Sequence, residues 1–151
     1  PAYHMTTHVV EAMIAGLGMF AYGVLDKRPE MKFGMFEVGA GWAPSWIERL
    51  NERHEDMGSM MPDLHEEPLE TFKKRCMVTV EGGEANLPAT LEYFGGRAVA
   101  WTSDVPHFDC ENEGRPDELV DHERLTAPDK RRLLHDNAVE FFNLKIPKTA
   151  R

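Results

Sequence analysis

Asp104 stands where an apolar segment of this chain stops. The run that begins at Ala98 is predicted to be a buried strand, and it ends abruptly at Asp104, with Pro106 and His107 within the next three residues. A carboxylate is costly inside a hydrophobic core but useful in an active site, and catalytic groups of α/β proteins follow the ends of strands. Asp104 is therefore the first candidate for chemistry. The alternative is that its side chain caps the turn that an Asp-x-Pro sequence favours.

Three other side chains are candidates for a site with Asp104. Glu37 follows a predicted strand, so it could be a metal-site acid or a proton shuttle, or it could bind an arginine or backbone amides at the strand end. His107 could contact a substrate carboxylate or carbonyl, or it could bond only to backbone in its loop. Trp42 could stack on a substrate, although packing at a helix start is the commoner role of such a residue.

Two weaker patterns lie nearby. Gly39-Ala40-Gly41 lets the backbone turn tightly or approach a ligand, but a lone Gly-x-Gly is weak evidence for phosphate binding and the full dinucleotide fingerprint is absent. His4 and His8 have a helical spacing that could suit a metal ion. An exposed helix end is the favoured explanation of these two histidines.

Composition and charge restrict the class of protein. The 151 residues are 42% hydrophobic, which predicts one domain with a real core. The formal net charge of -9 argues against nucleic acid or an anionic membrane as the main partner. No apolar run approaches the roughly 20 residues of a membrane span. Cys76 and Cys110 have no partner motif, so a reduced, cytoplasmic chain is the simplest account, with a lone disulfide between them left open.

Helical and strand patterns alternate along the chain. A first helix begins near His8, and three strand–loop–helix units follow it. Strands are predicted at 31–38, 76–80 and from Ala98, helices at 44–54, 68–74, 86–94 and from Thr126 to Phe142, and irregular stretches at 55–67 and 109–124. Asn86 and Thr126 are the predicted caps of their helices. This alternation indicates a parallel sheet with right-handed crossovers, so the functional loops are expected after the strands.

Three motifs, in this order, resemble those of the amidohydrolase-related metal-dependent hydrolases. The first combines segments 28–33, 36–42 and 47–50; the second is Ser103-Asp104-Val105-Pro106-His107, which is similar to that family's usual Ser-Asp-Tyr-Pro-His; and the third, at 136–144, resembles its closing helix. The group includes decarboxylases related to aminocarboxymuconate semialdehyde decarboxylase. The likeness runs from about Gly18 to Leu144.

The resemblance implies an α/β fold, namely the C-terminal part of a (β/α)8 barrel, with residues 1–151 as a single partial-barrel domain of about three β/α units. It implies that Asp104 is a ligand of a divalent metal, zinc or manganese, and a general base. It further implies that the parent enzyme hydrolyses or decarboxylates a small carboxylated substrate. Glu37 departs from the decarboxylase branch, in which this region bears a catalytic histidine.

The same resemblance implies that part of the site is missing. The family's metal ligands on strands 1 and 5 have no counterpart in this sequence, and a chain that starts at Pro1 without Met suggests a processed or truncated product. We therefore expect the isolated chain to be inactive, and whether it binds a metal on its own is left open. We also expect it to need a partner, either the missing N-terminal half of the barrel or another copy of itself, because three strands leave exposed sheet edges. The alternative is a non-catalytic half-barrel that serves only assembly.

Overall fold

The computed structural model describes residues 4–108, 110 and 115–146, and side chains from Thr6 onward. Its strands are β1 (Phe33–Met35), β2 (Cys76–Val80) and β3 (Val99–Trp101). Its helices are α1 (His4–Ala21), α2 (Val24–Lys27), α3 (Ala43–Met57), α4 (Pro68–Arg75), α5 (Leu87–Tyr93), α6 (Asp117–Val120), α7 (Ala127–Arg131) and α8 (Asn137–Phe142). A 3-10 turn, Gly58–Met60, follows α3, and a π-helical segment, Arg132–Asp136, joins α7 to α8.

The three strands form one parallel sheet in the order β1-β2-β3. Phe33 lies opposite Cys76, and Val78 lies opposite both Met35 and Val99. The predicted parallel sheet is therefore confirmed. Because the strands run in one direction, the segments that follow them all leave from the same edge of the sheet.

Both faces of the central strand are covered. All five residues of β2 are buried, as expected for a parallel strand between two layers. Val78 and Val80 belong to the main core, which also holds Phe72 and Phe94 from the helical layer. Met77 and Thr79 alternate with them on the opposite face and are buried as well.

The C-terminal segment is tied to both outer strands. The buried side chain of Asn137 donates hydrogen bonds to the carbonyl oxygens of Gly96, at 2.9 Å, and Val99, at 2.8 Å. The Lys32 ammonium, just before β1, donates to the last carbonyls of α8, Glu140 O at 2.8 Å and Phe141 O at 2.6 Å. A cation at a helix C-terminus satisfies these carbonyls and complements the helix dipole. These contacts connect β3 and β1 through α8.

Several element boundaries differ from the predictions. β1 is shorter than the predicted strand at 31–38, because Glu37 adopts a left-handed backbone conformation with φ 61°. α3 extends beyond position 54 to Met57, and α1 begins earlier than expected, at His4. Within the stretch 109–124, predicted to be irregular, residues 109 and 111–114 lie outside the described ones, and Asp117–Val120 forms α6.

Of the two predicted helix caps, one is confirmed and the other is wrong. Thr126 forms the predicted capping box with Asp129 at the start of α7. Asn86 precedes α5 without a side-chain capping bond, and its amide donates to the carbonyl of Gly41 in a neighbouring loop. Among the described residues, the helices include none with the length and apolar character needed to cross a membrane.

We predict that Asn137→Ala lowers the free energy of unfolding by about 2 kcal/mol, because the buried carbonyl of Val99 and the partly buried carbonyl of Gly96 both lose their donor. Urea denaturation measures this effect. Glu140→Ala, an exposed position on the same helix, is the matched control and is expected to change stability by less than about 0.5 kcal/mol. Equal effects of the two substitutions would contradict this role of Asn137.

Candidate active site

Carboxylates follow all three strands at the same edge of the sheet. Glu37 lies two residues after β1, Glu84 four residues after β2, and Asp104 three residues after β3. β1 and β3 are separated by β2, so their backbones lie about 10 Å apart across the sheet. Glu37 and Asp104 nevertheless act on each other, because the pKa of Glu37 is raised by hydrogen bonding to the Asp104 carboxyl group. Two carboxyl groups can form a hydrogen bond only when one of them is protonated.

The contact with Asp104 changes the proton affinity of Glu37. The pKa of Glu37 is raised above its usual value, first by the hydrogen bond to Asp104, then by desolvation, and then by the negative charge of Asp104. The positive charges of His107 and His8 act in the opposite direction on this pKa. Such a pair of interacting carboxyl groups holds a proton at higher pH than an isolated glutamate does.

Both carboxylates are held on strained backbone. Glu37 has φ 61° and Asp104 has φ 51°, a left-handed conformation that costs a non-glycine residue roughly 1–2 kcal/mol. The backbone N–H of Glu37 donates to Thr79 Oγ1 at 3.0 Å, and the carbonyl of Asp104 accepts from the His107 N–H at 2.8 Å. Strain that the surrounding structure maintains is concentrated at functional sites, so both conformations mark this edge as a candidate site.

Two imidazoles lie beside the carboxylates. His107 Nδ1 is 3.2 Å from Asp104 Oδ2, and 51% of the His107 side chain is exposed, whereas only 8% of the Asp104 side chain is. His8 lies on α1 and is exposed. The site therefore presents a nearly buried carboxylate, a glutamate whose pKa is raised and a histidine that is half exposed to solvent. These groups can bind a cation, exchange a proton and contact an anionic or carbonyl oxygen.

Trp42 has structural contacts in this arrangement. Its indole N–H donates to the carbonyls of Val38, at 2.9 Å, and Gly39, at 3.0 Å, and its ring packs against Trp46. These bonds hold the turn that precedes α3. The expectation that Trp42 binds substrate stays a prediction, and its polar group is already engaged within its own loop.

Glu84 is the functional candidate that the sequence reasoning missed. Its carboxylate accepts hydrogen bonds from the backbone N–H groups of Ala40, at 2.9 Å, and Gly41, at 2.7 Å. Its position could have marked it as a candidate, since Glu84 follows the Gly82-Gly83 turn after a predicted strand. What the sequence did not show is that this carboxylate reaches the neighbouring glycine turn. The Ala40 and Gly41 amides of the Gly-Ala-Gly turn, weakly suggestive of a phosphate site, are thus bound by a side chain of the same protein.

An open cleft adjoins Glu37 along the outer side of β1. It has a volume of about 390 Å³ and lies between α1 and the segment 33–38. His8 and Glu11 of α1 line it together with Glu37. The cleft thus connects the polar edge of the sheet with the unpaired side of the first strand.

The Glu37 and Asp104 carboxylates are chemically suited to a divalent metal ion. Oxygen ligands suit such an ion, and a cation between two carboxylates relieves the repulsion between them. Within residues 4–108, 110 and 115–146, however, no three His, Cys, Asp or Glu side chains converge to hold a metal ion. Asp104 and Glu37 would supply two oxygen ligands, so the described residues alone do not complete a metal site.

The cysteines are thiols in the described structure. Cys76 and Cys110 are both free, so the disulfide that the sequence left open is not formed. Burial raises the pKa of Cys76 to about 12. This thiol is therefore protonated and unsuited to nucleophilic or metal chemistry at neutral pH.

The sequence of residues 3–144 matches the model of the amidohydrolase family. The chain belongs to the amidohydrolase family, as its motifs indicated. A comparison with curated proteins finds no match.

Two solved structures share the fold. An amidohydrolase from Mycobacterium avium subsp. paratuberculosis K-10 is 21% identical, with a TM-score of 0.70, over 86% of this chain and 32% of its own. The 5-carboxyvanillate decarboxylase LigW from Sphingomonas paucimobilis is 23% identical, with a TM-score of 0.70, over 86% of this chain and 39% of its own. The chain thus spans about a third of the length of these structures. The predicted fold, part of a (β/α)8 barrel, is confirmed.

We predict that Asp104→Asn lowers the pKa of Glu37 toward its usual value, because the substitution removes both the carboxyl partner and its negative charge. An NMR titration of the Glu37 side-chain carboxyl carbon measures this change. Asp121→Asn, at an exposed carboxylate after α6, is the control and should leave the Glu37 titration unchanged. An unchanged pKa in Asp104→Asn would show that the two groups do not interact.

The raised pKa also predicts a pH dependence of stability. A folded-state pKa above the unfolded-state value means that folding favours the protonated form of Glu37. The contribution of this contact is therefore complete below the unfolded-state pKa and is lost as pH rises through the folded-state pKa. Urea denaturation across this window should show a steeper loss of stability in the wild-type chain than in Asp104→Asn; parallel profiles would contradict the linkage.

Proposed function

We propose that this chain carries part of the active site of a metal-dependent hydrolase or decarboxylase that acts on a small carboxylated substrate. The observation that carries the proposal is the meeting of Glu37, Asp104 and His107 at the carboxyl ends of parallel strands, where catalytic groups of (β/α)8 barrels lie. Membership of the amidohydrolase family supports this class of chemistry. The similar fold of a carboxyvanillate decarboxylase supports the decarboxylase branch of the proposal.

Each residue has a separate role in this proposal. Asp104, which is nearly buried, binds a divalent zinc or manganese ion and acts as a base toward water or substrate. Glu37, whose pKa is raised and whose side chain lines the cleft, delivers a proton to a reacting atom or removes one. His107 donates a hydrogen bond to a carboxylate or carbonyl oxygen of the substrate. The ion, when bound, would supply a Lewis acid.

The partner in this proposal is a polypeptide that completes the barrel. β1 and β3 each pair with β2 on one side only among the described strands, and an unpaired strand side is a template for another strand. The rest of a barrel or a second copy of this chain would cover these sides and the cleft beside β1. The free thiols of Cys76 and Cys110 support a reducing, cytoplasmic location.

A non-catalytic assembly module is the second candidate function. The observation that favours it is that the described residues form only part of a metal site, whereas the unpaired strands are suited to association. In that case the carboxylate pair would serve the structure alone. Metal binding at Asp104 separates the two candidates.

Paramagnetic broadening by Mn²⁺ tests the proposed site, because it detects weak binding. We expect low concentrations of Mn²⁺ to broaden the NMR signals of residues 37–38 and 104–107 before other signals. Asp104→Asn should abolish this selective broadening, and Asp121→Asn should preserve it. Broadening that is confined to other acidic surfaces, or that is unaffected by Asp104→Asn, would contradict the proposal and favour the assembly module.

A further inference from the structure

We infer that Glu84 is a positioning residue, which fixes the loop after β1 and thereby the place of Glu37 opposite Asp104. This inference rests on the proposed function only where it assigns the loop a part in catalysis. The contacts themselves concern two neighbouring loops, the one after β1 and the one after β2.

The carboxylate of Glu84 binds two consecutive backbone amides. Oε1 accepts from Ala40 N–H at 2.9 Å, and Oε2 accepts from Gly41 N–H at 2.7 Å. Successive amides that point the same way form a concave anion site, and here its anion is a side chain of the same chain. Hydrogen bonds to an ionised acceptor are stronger than those between neutral groups. These two bonds therefore stabilise the loop more than hydrogen bonds to a neutral acceptor would.

Water cannot easily replace this carboxylate. Ala40 is 0% exposed, so its N–H would remain buried without an acceptor if Glu84 were removed. Asn86, from the same loop as Glu84, donates its side-chain amide to the carbonyl of Gly41 at 3.0 Å. Both backbone polar groups of Gly41 are therefore held by the loop after β2.

The loop after β1 needs such support because two of its residues are left-handed. Glu37 has φ 61° and Gly39 has φ 68°. A Cβ at Gly39 would lie 2.8 Å from Glu84 Oε1, so glycine serves both the backbone conformation and the approach of the carboxylate. Glu84 thus holds the turn three residues beyond the catalytic candidate Glu37.

The loop that contains Glu84 is held in the same manner. The N–H of Gly83 donates to Glu118 Oε2 at 3.0 Å, and Glu118 lies on α6, after β3. Glu84, from the loop after β2, thus binds the loop after β1, and Glu118, from the segment after β3, binds the loop after β2. These contacts link the segments that follow the three strands.

Amide hydrogen exchange and Mn²⁺ broadening test the inference together, in the full chain. Glu84→Gln keeps the size of the side chain but replaces one carboxylate oxygen with a donor, so it cannot accept from both amides. We expect the amides of Ala40 and Gly41 to exchange about tenfold faster or more, while those of Met77 and Val78 in β2 keep their rates. Glu92→Gln, at an exposed position on α5, is the control.

Positioning has a second readout that a merely structural contact would leave unchanged. In Glu84→Gln, the Mn²⁺ broadening at Glu37 should weaken relative to that at Asp104. Unchanged exchange and unchanged broadening at Glu37 would overturn the inference, and so would a uniform rise in exchange that includes β2. If the wild-type chain shows no selective broadening at Asp104, the proposed function fails, while the exchange rates still decide whether Glu84 fixes the loop.

Discussion

The parallel pairing of β2 with both of its neighbours is the constraint on which the site depends. It sends the chain out of all three strands at one edge, so residues distant in sequence arrive together there. The central strand also separates the other two, so the backbones of β1 and β3 lie about 10 Å apart. Glu37 and Asp104 both leave left-handed backbone, and their side chains interact across that distance, as the raised pKa of Glu37 indicates.

Acidic side chains make specific contacts in the loops at this edge of the sheet. The chain's 26 acidic residues give the protein a net negative charge, and four of them interact within the loops at this edge. Glu84 and Glu118 accept hydrogen bonds from backbone amides, and Asp104 raises the pKa of Glu37. Carboxylates therefore both hold the loops and provide the reactive groups, so the electrostatics and the local geometry of this site are inseparable.

Much of the fold and part of the site could be predicted from sequence. Apolar runs such as Cys76–Val80 separated by helical patterns predicted the parallel sheet, and the strand-end positions of Asp104 and Glu37 indicated where chemistry would lie. The structure brings these two residues and His107 together, while their roles stay predictions. Local sequence could not show this meeting, because it depends on which strand lies in the centre of the sheet.

Other features could not be predicted from local sequence patterns, for a related reason. The end of β1 depends on the φ angle of Glu37, which tertiary contacts with Thr79 maintain. Asn86 is a residue type that often caps helices, but here its side-chain amide donates to the carbonyl of Gly41 in the neighbouring loop. Long-range hydrogen bonds of this kind override local preferences, and a single sequence carries no direct signal of them.

The central claim is that Glu37 and Asp104 act as one coupled pair, and a double-mutant cycle measures it most directly. The free energies of unfolding of Glu37→Ala, Asp104→Ala, the double variant and the wild type would be compared at one pH. The account predicts a coupling of about 0.5 kcal/mol or more, because each single substitution already removes the shared contact. Effects that add within about 0.3 kcal/mol would contradict it and would leave two independent carboxylates at the end of a parallel sheet.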